Sequence, residues 1–421
     1  MIQVNRLVSP LVFVLATYIP ALIAFIAIPK QTYVNVFASQ KNEALVALLL
    51  VGLSVAAFAV GVVLGGRWHR VSGGIVETPS GRLPQLDVLV WLAIAGALVG
   101  YVVWFALALH RAGGPVGLLW HYEHDDAGTV KRVYFATVPG VTTLSQLAVA
   151  AVPLCVAAGM WGRSRLVRVS VGVLLVFGLV RSVLASERLA LIELVVPVLY
   201  VLVWRVRLRP ARLAACIAVL VLAVVAFFSA TEFHRTLQGQ GFSLQRPATR
   251  FTAYYLNSLD NGMAIAKDYR FATPCYFTLT SLWAFPGVSA TPLDYTRLTG
   301  VSPGRVLDNF HELHGLTPTV TTLGLPGSMA MDWGWLAPLV LLGLGVTAGA
   351  IHRSTETSVV ARVWYGIWLV GLLEFWRTPY LFNQRLAPPY AVLLVAFLLL
   401  RGKGVVKAAQ SVFVRKSLPL Q

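Results

Sequence analysis

The sequence TEFHRTLQGQGFSLQRPATRF (231–251) opens the one long stretch of the chain that is too polar to cross a membrane, and TPTVTTLGLPGSMAMDWGW (317–335) closes it. On both sides of this stretch the chain consists of nearly continuous apolar runs. Mean hydropathy is +0.73, with 57% hydrophobic and 12% charged residues, values typical of polytopic membrane proteins. We therefore expect the flanking helices to hold the polar stretch at a membrane surface.

Apolar runs near the length that crosses a bilayer as a helix recur along the rest of the chain. They fall at 7–29, 44–64, 87–110, 138–160, 169–186, 189–204, 213–230, 330–351, 360–378 and 384–400. The sequence therefore predicts an all-α, polytopic transmembrane protein with about ten spans. We expect residues 1–421 to form a single membrane-embedded domain, with residues 231–329 as a large loop that contains short helices.

The net charge of +17 is concentrated in short clusters between the apolar runs. These clusters are residues 66–70 with Arg82, 161–168, 205–212, 352–362 and 401–407. They alternate along the chain with less basic loops, so all of them can face the cytoplasm together, as the positive-inside rule requires. We therefore expect both termini in the cytoplasm and the loops 30–43, 111–137, 231–329 and 379–383 outside. The pattern indicates a lipid bilayer, and not a nucleic acid, as the partner of the basic residues.

Charged residues on the predicted outer side need a separate explanation, because charges within apolar helices are costly. Arg181, Glu187, Arg188 and Glu193 lie where two apolar runs meet at a tight turn. One interpretation is an ion-pair network that ties this hairpin together. The other is a cationic pocket just below the outer surface, because guanidinium groups bind phosphate oxygens in a bidentate manner.

A second group of charges lies where the chain leaves the seventh apolar run. It contains Glu232, His234 and Arg235, and Arg246 and Arg250 follow shortly afterwards. It is either a solvated loop or a surface that binds a diphosphate.

The third group consists of His311, Glu312 and His314. A carboxylate beside imidazoles can accept the proton of a sugar hydroxyl as a general base. The alternatives are a surface turn without a role and a metal site. The spacing differs from the HExxH pattern and no third ligand is evident, which argues against the metal.

Further candidates lie near the last three apolar runs. Asp332 stands where the eighth run begins and either caps that helix or contacts a sugar. Arg377, between Glu374 and Arg385, either completes the cationic pocket as a diphosphate ligand or takes part in local ion pairs. Aromatic residues that can stack on sugar rings, or anchor the chain at the membrane interface, are Tyr254, Tyr255, Trp283 and Trp335. The acidic run WHYEHDD (120–126) is a weaker candidate for a divalent cation.

Several familiar signatures are missing from the sequence. It contains no Walker motif, no GxGxxG after a strand, and no cysteine pattern for a disulfide framework or a metal site. A membrane enzyme without a nucleotide site draws its energy from the substrate itself, and an activated lipid-diphosphate sugar supplies that energy.

Four motifs, in their order along the chain, resemble the bacterial O-antigen or oligosaccharide repeat-unit polymerases of the Wzy type, and more distantly the O-antigen ligases. They are GGPVGLLWHY (113–122), SERLALIE (186–193), FHR (233–235) at the start of the long loop, and DWGWLAP (332–338) after a threonine-rich stretch. One family feature is missing: some of these polymerases show arginine, ten residues and then glycine, whereas nine residues separate Arg305 from Gly315 here.

The resemblance implies a GT-C-type glycosyltransferase of the bacterial cytoplasmic membrane that uses neither a metal nor another cofactor. It would transfer a growing glycan from undecaprenyl diphosphate to a sugar hydroxyl of another lipid-linked repeat unit, outside the membrane. Its partners would include a flippase and a chain-length regulator of the same pathway. By position, Arg188 and Arg235 are similar to the family's diphosphate-binding arginines, and His311 or His314 to a histidine late in the loop.

These observations predict direct displacement at the anomeric carbon of the donor sugar. Arg188 and Arg235, with Arg181 or Arg250, would stabilise the charge on the leaving diphosphate. Glu232, or the pair His311 and His314, would accept the proton of the attacking hydroxyl. An O-antigen ligase, a transporter or flippase, and a metal-dependent glycosyltransferase are the alternatives.

Overall fold

The structure is a computed structural model that describes residues 2–37, 41–71, 84–125, 127–185, 187–204, 245–283, 285, 287–314 and 322–400, with separate positions between 207 and 226. Its principal helices are α1 (Pro10–Ala27), α2 (Lys30–Phe37), α3 (Leu45–Val71), α4 (Pro84–Arg111), α5 (Pro115–His124), α6 (Val141–Ser145), α7 (Ala148–Ala157), α8 (Arg165–Leu184), α9 (Arg188–Val203), α10 (Gln245–Asp268), α11 (Pro303–Leu313), α12 (Gly324–Trp333), α13 (Ala337–Ser354), α14 (Val359–Leu373) and α15 (Gln384–Leu400).

Short helical turns connect the principal helices. They are Val4–Leu7, Ala127–Thr129, the π-helical turn Val130–Tyr134, Met160–Arg163, Thr280–Trp283, Tyr295–Thr299 and the 3-10 turns Val288–Ala290, Gly334–Leu336 and Tyr380–Phe382. The strands β1 (Ile2–Gln3) and β2 (Arg207–Leu208) form an antiparallel pair with Ile2 opposite Leu208. Apart from this pair the described residues form helices and loops, which confirms the all-α prediction.

Five helices in the described part of the chain are long and apolar enough to cross a membrane: Pro10–Ala27, Leu45–Arg67, Pro84–Arg111, Arg165–Leu184 and Gly324–Ser354. The runs at 138–160, 360–378 and 384–400 form shorter apolar helices. The run at 189–204 forms α9, which has 16 residues. Most of the run at 213–230 lies outside the described residues. The membrane character of the chain is therefore supported, whereas ten spans stay a prediction.

Helix α14 lies between two hydrophobic cores. Tyr365, Leu369 and Leu372 on one face pack into a core built mainly by α1, α3, α10, α12 and α13. Val363 and Ile367 on the other face pack into a core built mainly by α4, α7, α8, α9 and α15. A helix that is apolar all round is expected to be buried on all sides. Its composition therefore accounts for its central place.

Helices α3 and α13 form the most extensive helix–helix contact among the described helices, and glycines line it on both sides. A methyl group added at Gly61 would lie 2.2 Å from the Leu342 carbonyl oxygen, and one at Gly345 would lie 2.2 Å from that of Phe58. Gly65 and Gly349 repeat the pattern four residues later. Small residues at this spacing let two helix backbones approach closely, and such packing drives helix association where lipid removes the hydrophobic effect.

The polar stretch contains two moderately apolar segments, 251–266 and 275–286, whose composition predicts short helices that lie flat at the membrane surface or dip back towards the core. The first segment lies within α10, a single helix of 24 residues, and its residues Met263–Ala266 are fully buried in the first core, as the second of these alternatives predicts. The approach is close because Gly262 faces Gly327 of α12, where an added methyl group would lie 2.4 Å from the Gly262 Cα. In the second segment only Thr280–Trp283 is helical among the described residues.

The glycine contact generates a matched pair of substitutions on one helix. Gly345→Ala places a methyl group against the backbone of α3, whereas Gly343→Ala meets no atom within 4 Å. We expect Gly345→Ala to cost about 1–3 kcal/mol, the usual range for overpacking, and to lower the yield of folded protein. Gly343→Ala should leave the stability and the yield of folded protein unchanged. Thermal unfolding followed by size-exclusion chromatography in detergent measures the difference, and equal midpoints for the two variants would contradict it.

Candidate functional site

The carboxylate of Glu187 holds three basic side chains from separate parts of the chain. Nε of Arg181 donates to Oε2 of Glu187 at 2.8 Å, and the Arg385 guanidinium donates to the same oxygen at 3.1 Å. The ammonium group of Lys131 lies 3.0 Å from Oε1. Glu193 lies on the next turns of α9 and pairs with Nε of Arg385 at 3.4 Å. We call Lys131, Arg181, Glu187, Glu193 and Arg385 the Glu187 cluster.

The hairpin between α8 and α9 creates this arrangement. Arg181 lies in the last turn of α8, and Glu187 immediately precedes the first residue of α9. A basic residue at a helix C-terminus and an acidic residue at a helix N-terminus both compensate the helix dipole. The hydroxyl of Ser182 donates to the Glu187 carbonyl at 3.2 Å and accepts from the Leu191 N–H at 3.1 Å. These bonds fix the two helix ends against each other.

The side chains of the cluster range from buried to exposed. The Arg181 side chain is 5% exposed, and its guanidinium carbon lies 4.6 Å from the ring centre of Trp104. Glu193 is 1% exposed and accepts a hydrogen bond from the hydroxyl of Tyr380. By contrast, the side chain of Arg385 is 21% exposed and that of Lys131 is 48% exposed. An incoming anion would therefore meet Lys131 and Arg385 first.

The electrostatic state of Glu187 follows from its partners. Burial by itself would raise the pKa of the Glu187 carboxyl, but Arg181, Arg385 and Lys131 outweigh burial and lower the pKa to about 2. Glu187 is therefore ionised at neutral pH. Three cations share two carboxylates in the cluster, so it carries no excess of negative charge.

A second set of predicted residues meets at the end of α14. Nη1 of Arg377 donates to Oε2 of Glu374 at 2.9 Å, and the Arg377 guanidinium carbon lies 4.9 Å from the ring centre of Tyr254 on α10. Tyr255 follows Tyr254 on α10 and is half-buried. Arg377 therefore takes part in a local ion pair, and Arg385 joins Arg181 at Glu187, while a role of either arginine in diphosphate binding stays a prediction.

The histidines of the polar stretch lie at the end of a helix. His311 and Glu312 belong to the last turn of α11, and His314 is the turn residue that follows it. Nε2 of His314 lies 3.9 Å from a carboxylate oxygen of Asp268. Burial lowers the pKa of His314 and outweighs the opposite effect of Asp268, so the imidazole is neutral at pH 7 and can accept a proton.

Asp332 does not cap the start of a span, contrary to one of the sequence-based alternatives. It is the ninth residue of α12 and is 1% exposed. Its carboxylate accepts hydrogen bonds from the Thr278 N–H at 2.7 Å, the Thr278 hydroxyl at 2.8 Å and the Thr273 hydroxyl at 3.1 Å. These bonds tie the segment after α10 to α12, so the buried carboxylate is occupied by protein donors.

The predicted sugar-binding tryptophans have separate surroundings. The indole N–H of Trp283 donates to the Cys275 carbonyl at 3.2 Å, and its ring lies 5.4 Å from that of Tyr295. Trp335 is 56% exposed, and the guanidinium carbon of Arg270 lies 4.6 Å from its ring centre. Trp335 is therefore the more accessible of the two aromatic faces.

Several predicted residues lie outside what the structure describes. Glu232, His234 and Arg235 lie between residues 231 and 244, which are outside the described ranges. Arg246 and Arg250 belong to α10, but their side chains are outside the described set. Arg188 begins α9 directly after Glu187 and is half-buried.

Residues 120–124 of the acidic run form the end of α5. Nδ1 of His121 lies 2.9 Å from Oδ2 of Asp125 and 2.9 Å from the Tyr134 hydroxyl. Asp126 lies outside the described residues. In the part of the chain that is described, no group of three His, Cys, Asp or Glu side chains is placed to hold a metal ion.

The structure also reveals residues that sequence reasoning missed. Lys131 and Tyr380 belong to the surroundings of Glu187 and Glu193, although nothing in their local sequence sets them apart. Asp260 on α10 is fully buried and accepts from the backbone N–H of Asn42 at 2.6 Å and from its side chain at 3.3 Å. An acidic residue within the apolar helix face around Leu259 and Met263 is the one signal that could have identified Asp260.

In comparisons with protein-family models, curated proteins and solved structures, nothing matches this chain. The function is therefore argued from the residues themselves.

The dependence of the hairpin on Glu187 is testable by Glu187→Gln. This change leaves the Arg181 guanidinium buried without its carboxylate, and breaking a buried pair in this way typically costs about 3–5 kcal/mol. The control is Glu356→Gln, which removes an exposed partner of Arg353 and should cost less than about 1 kcal/mol. Thermal unfolding of the two variants in detergent measures the difference. A Glu187→Gln protein as stable as the control would contradict the structural role of this carboxylate.

Asp260 predicts a pH dependence of stability. Burial raises the pKa of this carboxyl from 3.8 to about 7, against the lowering effect of the Asn42 donors. Between these values the folded protein binds more protons than the unfolded chain, so stability is highest at low pH and falls as the pH rises to about 7.

We expect the unfolding midpoint of the unaltered protein to fall by several degrees between about pH 5 and pH 7.5, and Asp260→Asn to reduce this slope. Because Glu187 titrates far below this window, it does not contribute to the difference. Identical slopes for the two proteins would contradict the assignment.

Proposed function

We propose that the chain is a membrane glycosyltransferase that polymerises undecaprenyl diphosphate-linked repeat units into surface polysaccharide at the outer face of the bacterial cytoplasmic membrane. The observation that carries this proposal is the Glu187 cluster. It gathers Lys131, Arg181 and Arg385 between apolar helices and leaves two of these three cations accessible. Such an arrangement suits a diphosphate whose lipid tail remains in the bilayer.

In the proposed reaction the acceptor hydroxyl attacks the anomeric carbon of the donor sugar. A new carbon–oxygen bond forms, the bond from that carbon to the diphosphate breaks, and the diphosphate leaves with the electron pair. Lys131, Arg385, Arg188 and Arg235 stabilise the developing negative charge, and such stabilisation is commonly the largest catalytic contribution. Arg181 acts by positioning Glu187, because its guanidinium is enclosed by Glu187 and Trp104.

The proton of the acceptor hydroxyl goes to a base in the polar stretch. His314 suits this role because its imidazole is neutral at pH 7. His311, one turn earlier on α11, and Glu232 are the other candidates. Tyr254 supplies an aromatic face beside Arg377, with Tyr255 next to it, and Trp335 supplies a second, exposed face. The acceptor and donor would both be lipid-linked and delivered by a flippase. A chain-length regulator would limit the length of the polymer.

The proposal predicts loss of polymer when the diphosphate-binding arginines are removed. In a strain that lacks its own copy of this chain, Arg188→Ala and Arg235→Ala should each abolish long-chain glycan while protein levels in the membrane stay normal. Arg163→Ala is the matched control, because Arg163 is 43% exposed and lies 3.7 Å from Asp87, outside the Glu187 cluster. Glycan ladders on gels provide the measurement. Normal ladders from both Arg188→Ala and Arg235→Ala would overturn the assignment.

The same strains separate the alternative functions. A ligase would leave polymer on undecaprenyl diphosphate while its transfer to another acceptor is lost. If the chain is a transporter or flippase, the purified protein will not extend lipid-linked repeat units extracted from the deletion strain.

Metal dependence is tested in the same purified system. We expect extension of the extracted repeat units to continue in EDTA, because the proposed reaction neutralises charge with arginine and lysine. Loss of activity in EDTA, restored by a divalent cation, would favour a metal-dependent transferase.

A further inference from the structure

A cavity of about 540 Å³ lies where α1 begins and where α3 and α13 end. It is separate from the Glu187 cluster and shares no residue with it. Its lining combines a short N-terminal segment with the last turns of the two glycine-packed helices. Arginine side chains and apolar side chains both contribute to the lining.

The polar side of this cavity is strongly basic. Arg6, Arg67 and Arg353 line it together with a single carboxylate, Glu356. Glu356 lies 2.6 Å from Arg353. Within the described ranges no ion pair is seen for Arg6 or Arg67, and both residues are exposed. Guanidinium groups bind phosphate oxygens with particular strength and geometry.

The start of α1 adds little to this preference. Ser9 caps this helix of 18 residues and its Oγ accepts the Val12 N–H, while Pro10 at the first position has no N–H to donate. The arginines therefore supply the preference of the cavity for an anion.

The cavity also has an apolar lining. Leu11, Val62 and Val63 belong to it, and Val63 is 41% exposed. Their neighbours Val12 and Leu64 are exposed on the same two helices. A ligand that fills the cavity therefore meets both cations and apolar side chains. That combination fits an amphiphile better than a free ion.

We propose that this cavity binds the phosphate head group of an anionic phospholipid, with Arg6 and Arg67 on the phosphate and the acyl chains along α1 and α3. The site is independent of the proposed transfer reaction. It would hold a bilayer lipid at the end of the α3–α13 contact, because residues of both helices form its wall.

The test measures lipid binding by the purified full-length protein with native mass spectrometry. Phosphatidylglycerol is titrated against phosphatidylcholine, and inorganic phosphate is titrated separately. We expect retention of phosphatidylglycerol over phosphatidylcholine, and a loss of at least about tenfold in its affinity for the double variant Arg6→Gln, Arg67→Gln. Arg168→Gln, at the start of α8, is the control and should bind as the unaltered protein does.

A second variant makes the opposite prediction and guards against misfolding of the first. Glu356→Gln releases Arg353 from its ion pair, so it should raise the affinity for phosphatidylglycerol by a few fold. Equal binding of both lipids, or unchanged binding by the double variant and by Glu356→Gln, would overturn the proposal. Saturable binding of inorganic phosphate without lipid retention would overturn it in favour of a free phosphate site.

Discussion

The close backbone contact between α3 and α13 is the constraint on which the rest of the bundle depends. In a bilayer an apolar helix contacts lipid as favourably as it contacts another helix. Helix association therefore has to come from close packing and polar contacts. Gly61 and Gly345 allow that packing because a side chain at either position would overlap the neighbouring backbone. Helix α13 continues the apolar segment that begins with α12, and α12 in turn packs against α10 through Gly327 and Gly262. The contact between Gly262 and Gly327 therefore brings α10, and with it the polar stretch, into the bundle.

The second constraint is the cost of burying charge. The bundle contains ionisable groups that would destabilise it if they were left alone, and three of the carboxylates are satisfied in different ways. Glu187 is surrounded by cations, Asp332 by threonine donors, and Asp260 by the Asn42 amide groups. Among these three, the arrangement at Glu187 is the one whose charges extend towards solvent, through Lys131. This difference separates a carboxylate that serves the fold alone from a cluster that can also meet a substrate.

Helix α14 connects the two halves of the proposed active site. Its two apolar faces join the two hydrophobic cores, and its end carries Glu374, which pairs with Arg377. The same helix packs against α9, which carries Glu193, and Arg377 lies 4.9 Å from the Tyr254 ring. The Glu187 cluster and the tyrosines of α10 are therefore connected through the packing of α14, although they belong to different cores.

The sequence by itself determined the helical class, the positions of five long apolar helices and the hairpin with Arg181 and Glu187, because these depend on composition and on neighbours in the chain. It could not show that Arg385 pairs with Glu187. It also could not decide whether Asp332 caps a helix or is buried and accepts hydrogen bonds from a distant segment. Both depend on partners more than fifty residues away. Tertiary structure alone decided that α10 enters the core, because a helix of low hydropathy is buried only where another helix offers glycines and hydrogen-bond donors. Which charges stay accessible is likewise a property of packing, since exposure is set by the surrounding helices and not by the residue type.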